Sequence, residues 1–231
     1  MIKVRRGNER GRSRTSWLDS HHTFSFNDYY DPDYTGFRSL RVINEDFVAP
    51  GAGFGRHGHK DMEILSYVLE GGLQHQDSSG GGGVIRPGEI QFMRAGTGVT
   101  HSEMNASKTE PVHFLQIWIV PDRRGLAPTY GQTPFDRGAA RRGFVTLASA
   151  SGDGGLQIQQ DASLFVTVLG AGEKRSREIA PGRHAWVQVT RGKASLGGKP
   201  LDAGDGAALS EEGRVDLEGR TESEVLVFDL A

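Results

Sequence analysis

The sequence predicts an all-β protein of two β-barrel, jelly-roll-like domains. Three observations carry this: 33 glycines in 231 residues, short β-rich segments recurring between glycine-bearing turns, and a segment pattern that occurs twice. Glycine at roughly twice ordinary usage suits a chain that reverses direction often, because glycine alone enters left-handed turn conformations freely. Residues 37–44, 64–69, 112–120, 164–169, 186–190 and 225–228 are rich in β-branched and aromatic side chains, and no segment shows strong helical periodicity. In a barrel of such strands alternate side chains point inward and can converge on one cavity.

The repeated pattern divides the chain. Tyr67-Val-Leu-Glu-Gly71 followed by Arg86-Pro-Gly-Glu-Ile90 is answered by Gln188-Val-Thr-Arg-Gly192 followed by Asp202-Ala-Gly-Asp-Gly206. Gly71 and Gly192 are 121 residues apart and Gly88 and Gly204 are 116 apart, so the first half has a longer hairpin around 78–83. Residues 121–142, with three Gly and three Pro, form the connector. The expected domains are 1–130, which binds metal, and 131–231, which is degenerate and does not.

Composition narrows the chemistry. With no cysteine there is no disulfide, thiolate metal site, iron–sulfur cluster or cysteine nucleophile. A net charge of −2 provides no global basic field for nucleic acid. Residues 1–14 do carry six Lys/Arg against one Glu, which reads as a solvated face or a guard on an edge strand. The last thirty-one residues hold nine Asp/Glu against two Arg, an asymmetry with no function attached. No apolar run is long enough to span a bilayer, and the basic N-terminus is followed by no apolar stretch, so the expected location is the cytoplasm.

The chemistry sits in two phased pairs. His57 and His59 are two apart in Gly55-Arg-His57-Gly-His59, and His101 and Glu103 are two apart in Thr100-His101-Ser-Glu103. Side chains at i and i+2 of a strand share a face, so each pair forms a bidentate arm, and together they offer three imidazoles and one carboxylate. Such donors suit Fe, Mn, Co, Ni, Cu or Zn, with two octahedral positions left open. Applying the two offsets places Glu178 and Ala180 where His57 and His59 sit, and Leu217 and Gly219 where His101 and Glu103 sit. His21, His22, His75, His113 and His184 read as locally hydrogen-bonded residues outside the site. The run at 80–83 reads as a flexible loop, because no Lys-Ser/Thr follows as in a phosphate loop. Gln116 could face the cavity or solvent.

Several motifs resemble the pirin family of the cupin superfamily: His57-Gly-His59-Lys-Asp-Met-Glu63, Gly88-Glu-Ile-Gln-Phe-Met-Arg-Ala-Gly96 and His101-Ser-Glu103-Met-Asn105. His22-Thr-Phe-Ser-Phe26, Tyr29-Tyr-Asp-Pro32, Leu40-Arg-Val-Ile-Asn-Glu-Asp46 and Phe114-Leu-Gln-Ile-Trp118 extend the resemblance over nearly the whole chain. It implies a bicupin with one divalent metal, Fe(II) first among the candidates, on His57, His59, His101 and Glu103, with Glu63 structural. It also implies an activity like that of pirin-type quercetin 2,3-dioxygenases, in which Glu103 takes a proton from a flavonol that reacts with dioxygen. The alternative is a noncatalytic, metal-dependent interaction or coregulator protein. Neither reading involves direct nucleic-acid or membrane binding, a protein partner remains open, and the resemblance favours a monomer.

Overall fold

A computed structural model describes residues Met1–Ala231. The all-β expectation holds: apart from a 3₁₀ turn at Gly7–Glu9 and one short helix, α1 (Arg137–Arg142), every regular element is a strand. No helix is long and apolar enough to cross a membrane.

Contacts divide the chain into two units. One comprises 11–135 and 158–160, the other 1–10, 136–157 and 161–231. In the first, a seven-stranded sheet runs β12 (Thr129–Pro134), β9 (Glu89–Arg94), β6 (Glu63–Glu70), β11 (Val112–Ile119), β4 (Leu40–Val48), β3 (Leu18–His22), β2 (Gly11–Arg14). A four-stranded sheet of β5 (Gly53–His59), β10 (Val99–Asn105), β7 (Leu73–Asp77) and β8 (Gly82–Ile85) accompanies it. Val48, Val68 and Phe114 of the larger sheet pack with Leu73 and Ile85 of the smaller one, closing the first core.

The second unit repeats this order. Its larger sheet runs β1 (Ile2–Arg5), β20 (Gly206–Leu209), β17 (His184–Arg191), β22 (Ser223–Leu230), β15 (Ala162–Leu169), β13 (Val145–Ser149), β14 (Leu156–Gln157). Its smaller sheet runs β16 (Lys174–Glu178), β21 (Arg214–Gly219), β18 (Lys193–Leu196), β19 (Lys199–Asp202). Only the last pair of the larger sheet differs, with β2 and β3 antiparallel and β13 and β14 parallel.

The outermost strands are exchanged relative to chain order. β1 precedes the first barrel in sequence but pairs with β20 of the second, while β12 precedes the second barrel but pairs with β9 of the first. The expected cut at 130/131 therefore falls inside β12, and residues 1–10 belong to the C-terminal unit. The charge asymmetry acquires an explanation here. Arg6 Nη1 lies 2.7 Å from Asp205 Oδ2, and the Gly7 amide donates to Asp205 Oδ1 at 2.6 Å, pinning the basic arm beside an acidic segment. The basic residues of 1–14 lie largely on and around β1 and β2, both edge strands, where charge discourages further strand addition.

Candidate metal centre

All four predicted ligands lie on two neighbouring strands of the first barrel. β5 and β10 are antiparallel, with His57 directly opposite His101. Beyond that pair the register slips, because Glu103 faces Phe54 and so three residues of β5 oppose two of β10. A bulge of this kind re-aims the side chains beside it. It leaves the Gly55 carbonyl 2.8 Å from His57 Nδ1.

Ligand atoms of His57, His59 and His101 converge within 4.8 Å of one another, and Glu103 forms a second such group with His101 and His75. His101 Nε2 and His57 Nε2 are 3.0 Å apart. Two nitrogens each about 2.1 Å from one ion lie about 3.0 Å apart when they meet it at a right angle, so the spacing fits adjacent positions of an octahedron. Burial, reinforced by the neighbouring His57, pushes His59 down to about 4 and His101 down to about 3. Both imidazoles are thereby neutral, which metal binding requires.

Glu103 is held from the other side. Its Oε2 accepts from Gln116 Nε2 at 2.6 Å, and its Oε1 lies 3.1 Å from Ser66 Oγ. Burial drives this carboxyl up to about 7; the nearby Asp46 adds to the rise, and the hydrogen bonds from Ser66 and Gln116 oppose it. Gln116 therefore faces the site rather than solvent.

The site opens into a cavity of about 540 Å³. Trp17, Phe26, Phe54 and Trp118 form its apolar walls, while His22, Asn44 and Asp46 lie among its polar residues. A larger cavity of about 740 Å³ in the second unit, bordered by Glu178, Glu212, Asp216 and Asp229, contains no imidazole and no cluster of metal-binding geometry.

Of the histidines read as local, four are so. His22 bonds Ser13 and Asn44, His113 bonds Glu45, His184 bonds Ser210, and His21 sits 3.5 Å from Asp19. His75 differs: it is buried, with Nδ1 3.4 Å from His101 Nδ1 and Nε2 3.1 Å from Asp77 Oδ2. The signal was present in His75-Gln-Asp77, a third pair phased at i and i+2 that lies on β7 beside β10. Glu63, read as structural, accepts the Gln159 amide on both oxygens at 2.8 and 2.9 Å.

The glycine run also departs from expectation, because it is shaped rather than flexible. Asp77 Oδ1 accepts from the Ser79 amide, the Ser79 hydroxyl and the Gly81 amide at 2.7–2.9 Å. A Cβ at Gly81 would stand 2.5 Å from Tyr130 Cγ and closer still to the Asp77 carboxylate, so only glycine fits.

The Pirin family model matches residues 3–119, and the model for the quercetinase C-terminal cupin domain matches residues 146–230. A quercetin 2,3-dioxygenase of Escherichia coli K12 is 46% identical over 230 residues, covering 100% of this chain and 99% of its own. The crystal structure of the bacterial pirin YhhW from Escherichia coli, in complex with nickel(II), superposes with a TM-score of 0.95 at 45% identity, covering 100% of this chain and 99% of that one. YhaK from Escherichia coli, at 30% identity, gives a TM-score of 0.74 over 95% of this chain and 93% of that one.

Proposed function

The chain belongs to the pirin family, and from that premise we propose that its first barrel is a metal-dependent dioxygenase site that opens a flavonol such as quercetin with dioxygen. The observation that carries this reading is a buried carboxyl, Glu103, held by Ser66 and Gln116 on the same strand as His101, with His57, His59 and Glu103 lining one aromatic-walled cavity. His57, His59, His101 and Glu103 would hold the ion, with Fe(II) or Ni(II) suited to such nitrogen-rich donors. A divalent metal bound there supplies the positive charge that makes a flavonol hydroxyl beside it more acidic.

The chain's own contribution is to place the flavonol and to manage its proton. A cavity of about 540 Å³ lies within the range of small-molecule sites, and Trp17, Phe54 and Trp118 offer faces and edges to a planar aromatic ligand. Asp46 Oδ1 is buried in this cavity without a hydrogen-bond partner, which suits a ligand hydroxyl.

Proton transfer falls to Glu103, the one carboxylate among the four residues that would hold the ion and a group lining the cavity. Ser66 equips it for both protonation states. Its hydroxyl lies 3.1 Å from Glu103 Oε1 and 3.1 Å from Gln116 Oε1, and a single proton can serve only one of them. With Glu103 ionised, Ser66 donates to it; with Glu103 protonated on Oε1, Ser66 accepts that proton and turns its own toward Gln116. The carboxyl can thus take up and return a proton while staying hydrogen-bonded to Ser66 in both states.

The test is oxygen consumption with quercetin, normalised to bound metal, for wild type and Glu103→Gln. Loss of a general base should lower turnover per metal by about 10²–10⁴. Equal turnover removes Glu103 from the mechanism. No turnover by metal-loaded wild type supports the alternative of a noncatalytic metal-dependent interaction protein.

A further inference from the structure

We propose that Asp77 and His75 are positioning residues that set the tautomer of His101, a chain of hydrogen bonds that leaves a lone pair on His101 Nε2 to face the metal position. The inference rests on His101 being a ligand, and it concerns residues outside the ligand set.

Counting donors along the chain gives one consistent arrangement. Asp77 Oδ1 is occupied by the Ser79 amide, the Ser79 hydroxyl and the Gly81 amide, so the carboxylate meets His75 through Oδ2 alone. A carboxylate can only accept, which puts the His75 proton on Nε2 and leaves its Nδ1 bare. Across the 3.4 Å between the two Nδ1 atoms, His101 must then be the donor. Its Nε2 is left unprotonated. On the other side, His57 Nδ1 donates to the Gly55 carbonyl at 2.8 Å, and in a singly protonated ring, the form that binds metal, His57 Nε2 is then bare as well.

Two lone pairs therefore confront each other across 3.0 Å. No hydrogen bond can form between them, and a cation that accepts both relieves the repulsion. Backbone and carboxylate partners that fix imidazole ligands are the usual outer support of a metal site; here the carboxylate acts through a second histidine. His75 is held for this task by burial and by stacking on Tyr130, with ring centroids 5.0 Å apart.

Asp77→Asn is the informative variant, because it should reverse the chain rather than break it. The three loop donors retain the side-chain oxygen, so the new amide nitrogen faces His75 Nε2 and donates. His75 then carries its proton on Nδ1 and gives it to His101 Nδ1, and His101 is left protonated on Nε2, where the metal belongs. His75→Phe, of similar volume, removes the constraint and lets His101 take either tautomer.

The measurements are ¹⁵N NMR of the histidine rings in metal-free protein, and titration with Ni(II) alone. Expected are a proton on His101 Nδ1 in wild type and on Nε2 in Asp77→Asn, with Ni(II) affinity falling about 10–100-fold in Asp77→Asn and less in His75→Phe. A merely structural role would leave the ring tautomer unmoved. Finding wild-type His101 protonated on Nε2 overturns the proposal even if neither variant folds, as does a folded Asp77→Asn that binds Ni(II) as wild type does. If His101→Ala also binds Ni(II) undiminished, it is the metal centre itself that has been misplaced.

Discussion

The two barrels share a strand order and differ in what they point inward, and their registers allow a residue-by-residue comparison. Asn105 faces Leu73 and Gly219 faces Ala194, each partner lying two residues after the matched Gly71 and Gly192. Glu103 therefore corresponds to Leu217 and His101 to Val215. The pairing of His101 with His57, set against that of Val215 with Arg177, makes Arg177 the counterpart of His57 and Ile179 that of His59. On the larger sheet, Ser66 pairs with Gln116 and Gln116 with Asn44, where the second barrel has Val187, Val227 and Phe165 in the same relation.

Among these site residues, only His57 has a polar counterpart. Phe165, Ile179, Val187, Leu196, Val215, Leu217 and Val227 all belong to one buried cluster, and Arg177 lies over the Phe165 ring at 3.5 Å. The second barrel has turned the same inward positions into core. A fold of this kind can use its interior for packing or for polar groups, and the first barrel keeps carboxyls and imidazoles there at a cost in desolvation.

The comparison is most severely tested at the ligands. His57→Ala, His59→Ala and His101→Ala should each lose most bound metal while remaining folded, as read by elemental analysis beside a thermal melt. Full occupancy in any two would mean that the first barrel binds through other groups. A second equivalent of metal located in the C-terminal barrel by anomalous scattering would erase the contrast from the other side.

Next in size is a truncation of the apolar core. Leu217→Ala should cost about 2–5 kcal/mol in denaturant unfolding and leave metal content unchanged, whereas Glu103→Gln at the matching position should change activity. Lost metal in Leu217→Ala would show that the barrels do not divide these roles.

The desolvated carboxyl also leaves a pH signature in metal-free protein. Glu103 is raised from 4.5 to about 7, so the folded state favours its protonated form. Its stabilising contribution is complete below the unfolded pKa and is lost as pH rises through about 7. Subtracting wild-type from Glu103→Gln stability removes the opposite contributions of His59 and His101, which are depressed and destabilise as pH falls below about 6.5. The difference should grow in favour of the variant between pH 4.5 and 7, by on the order of 3 kcal/mol. A flat difference would mean that Glu103 is ionised throughout.

The smallest effects come from the corresponding hairpins. Gly81→Ala meets Tyr130 and Asp77 and should cost about 1–3 kcal/mol by overpacking, with weaker Ni(II) binding through Asp77. Gly198→Ala, at φ +80° in open space, should cost about 1 kcal/mol in backbone strain and leave metal binding unchanged. Equal effects of both on Ni(II) would detach the glycine loop from the site.

By itself the sequence determined the all-β class, the repeat and the two phased pairs His57/His59 and His101/Glu103, because each is a local property. Turn glycines, strand composition and i, i+2 phasing follow from how one residue sits beside the next. The longer first hairpin was legible too: Ile85 corresponds to Leu201 at an offset of 116, as Gly88 does to Gly204. What required the tertiary structure was everything fixed by pairing between distant strands. The sequence offsets pointed to Glu178, Ala180, Leu217 and Gly219, whereas the registers select Arg177, Ile179, Val215 and Leu217. Counted between register-matched positions, the chain from β9 to β10 is two residues longer than that from β20 to β21, and the chain from β16 to β17 is one residue longer than that from β5 to β6. A one-residue slip turns a strand's side chains to the opposite face, so the corrected register changes which residues point inward. Likewise, no local signal announced that β1 and β12 exchange barrels, and the phasing of His75 with Asp77 did not by itself bring His75 to His101, because both depend on which edge lies open to which strand once the sheets have formed.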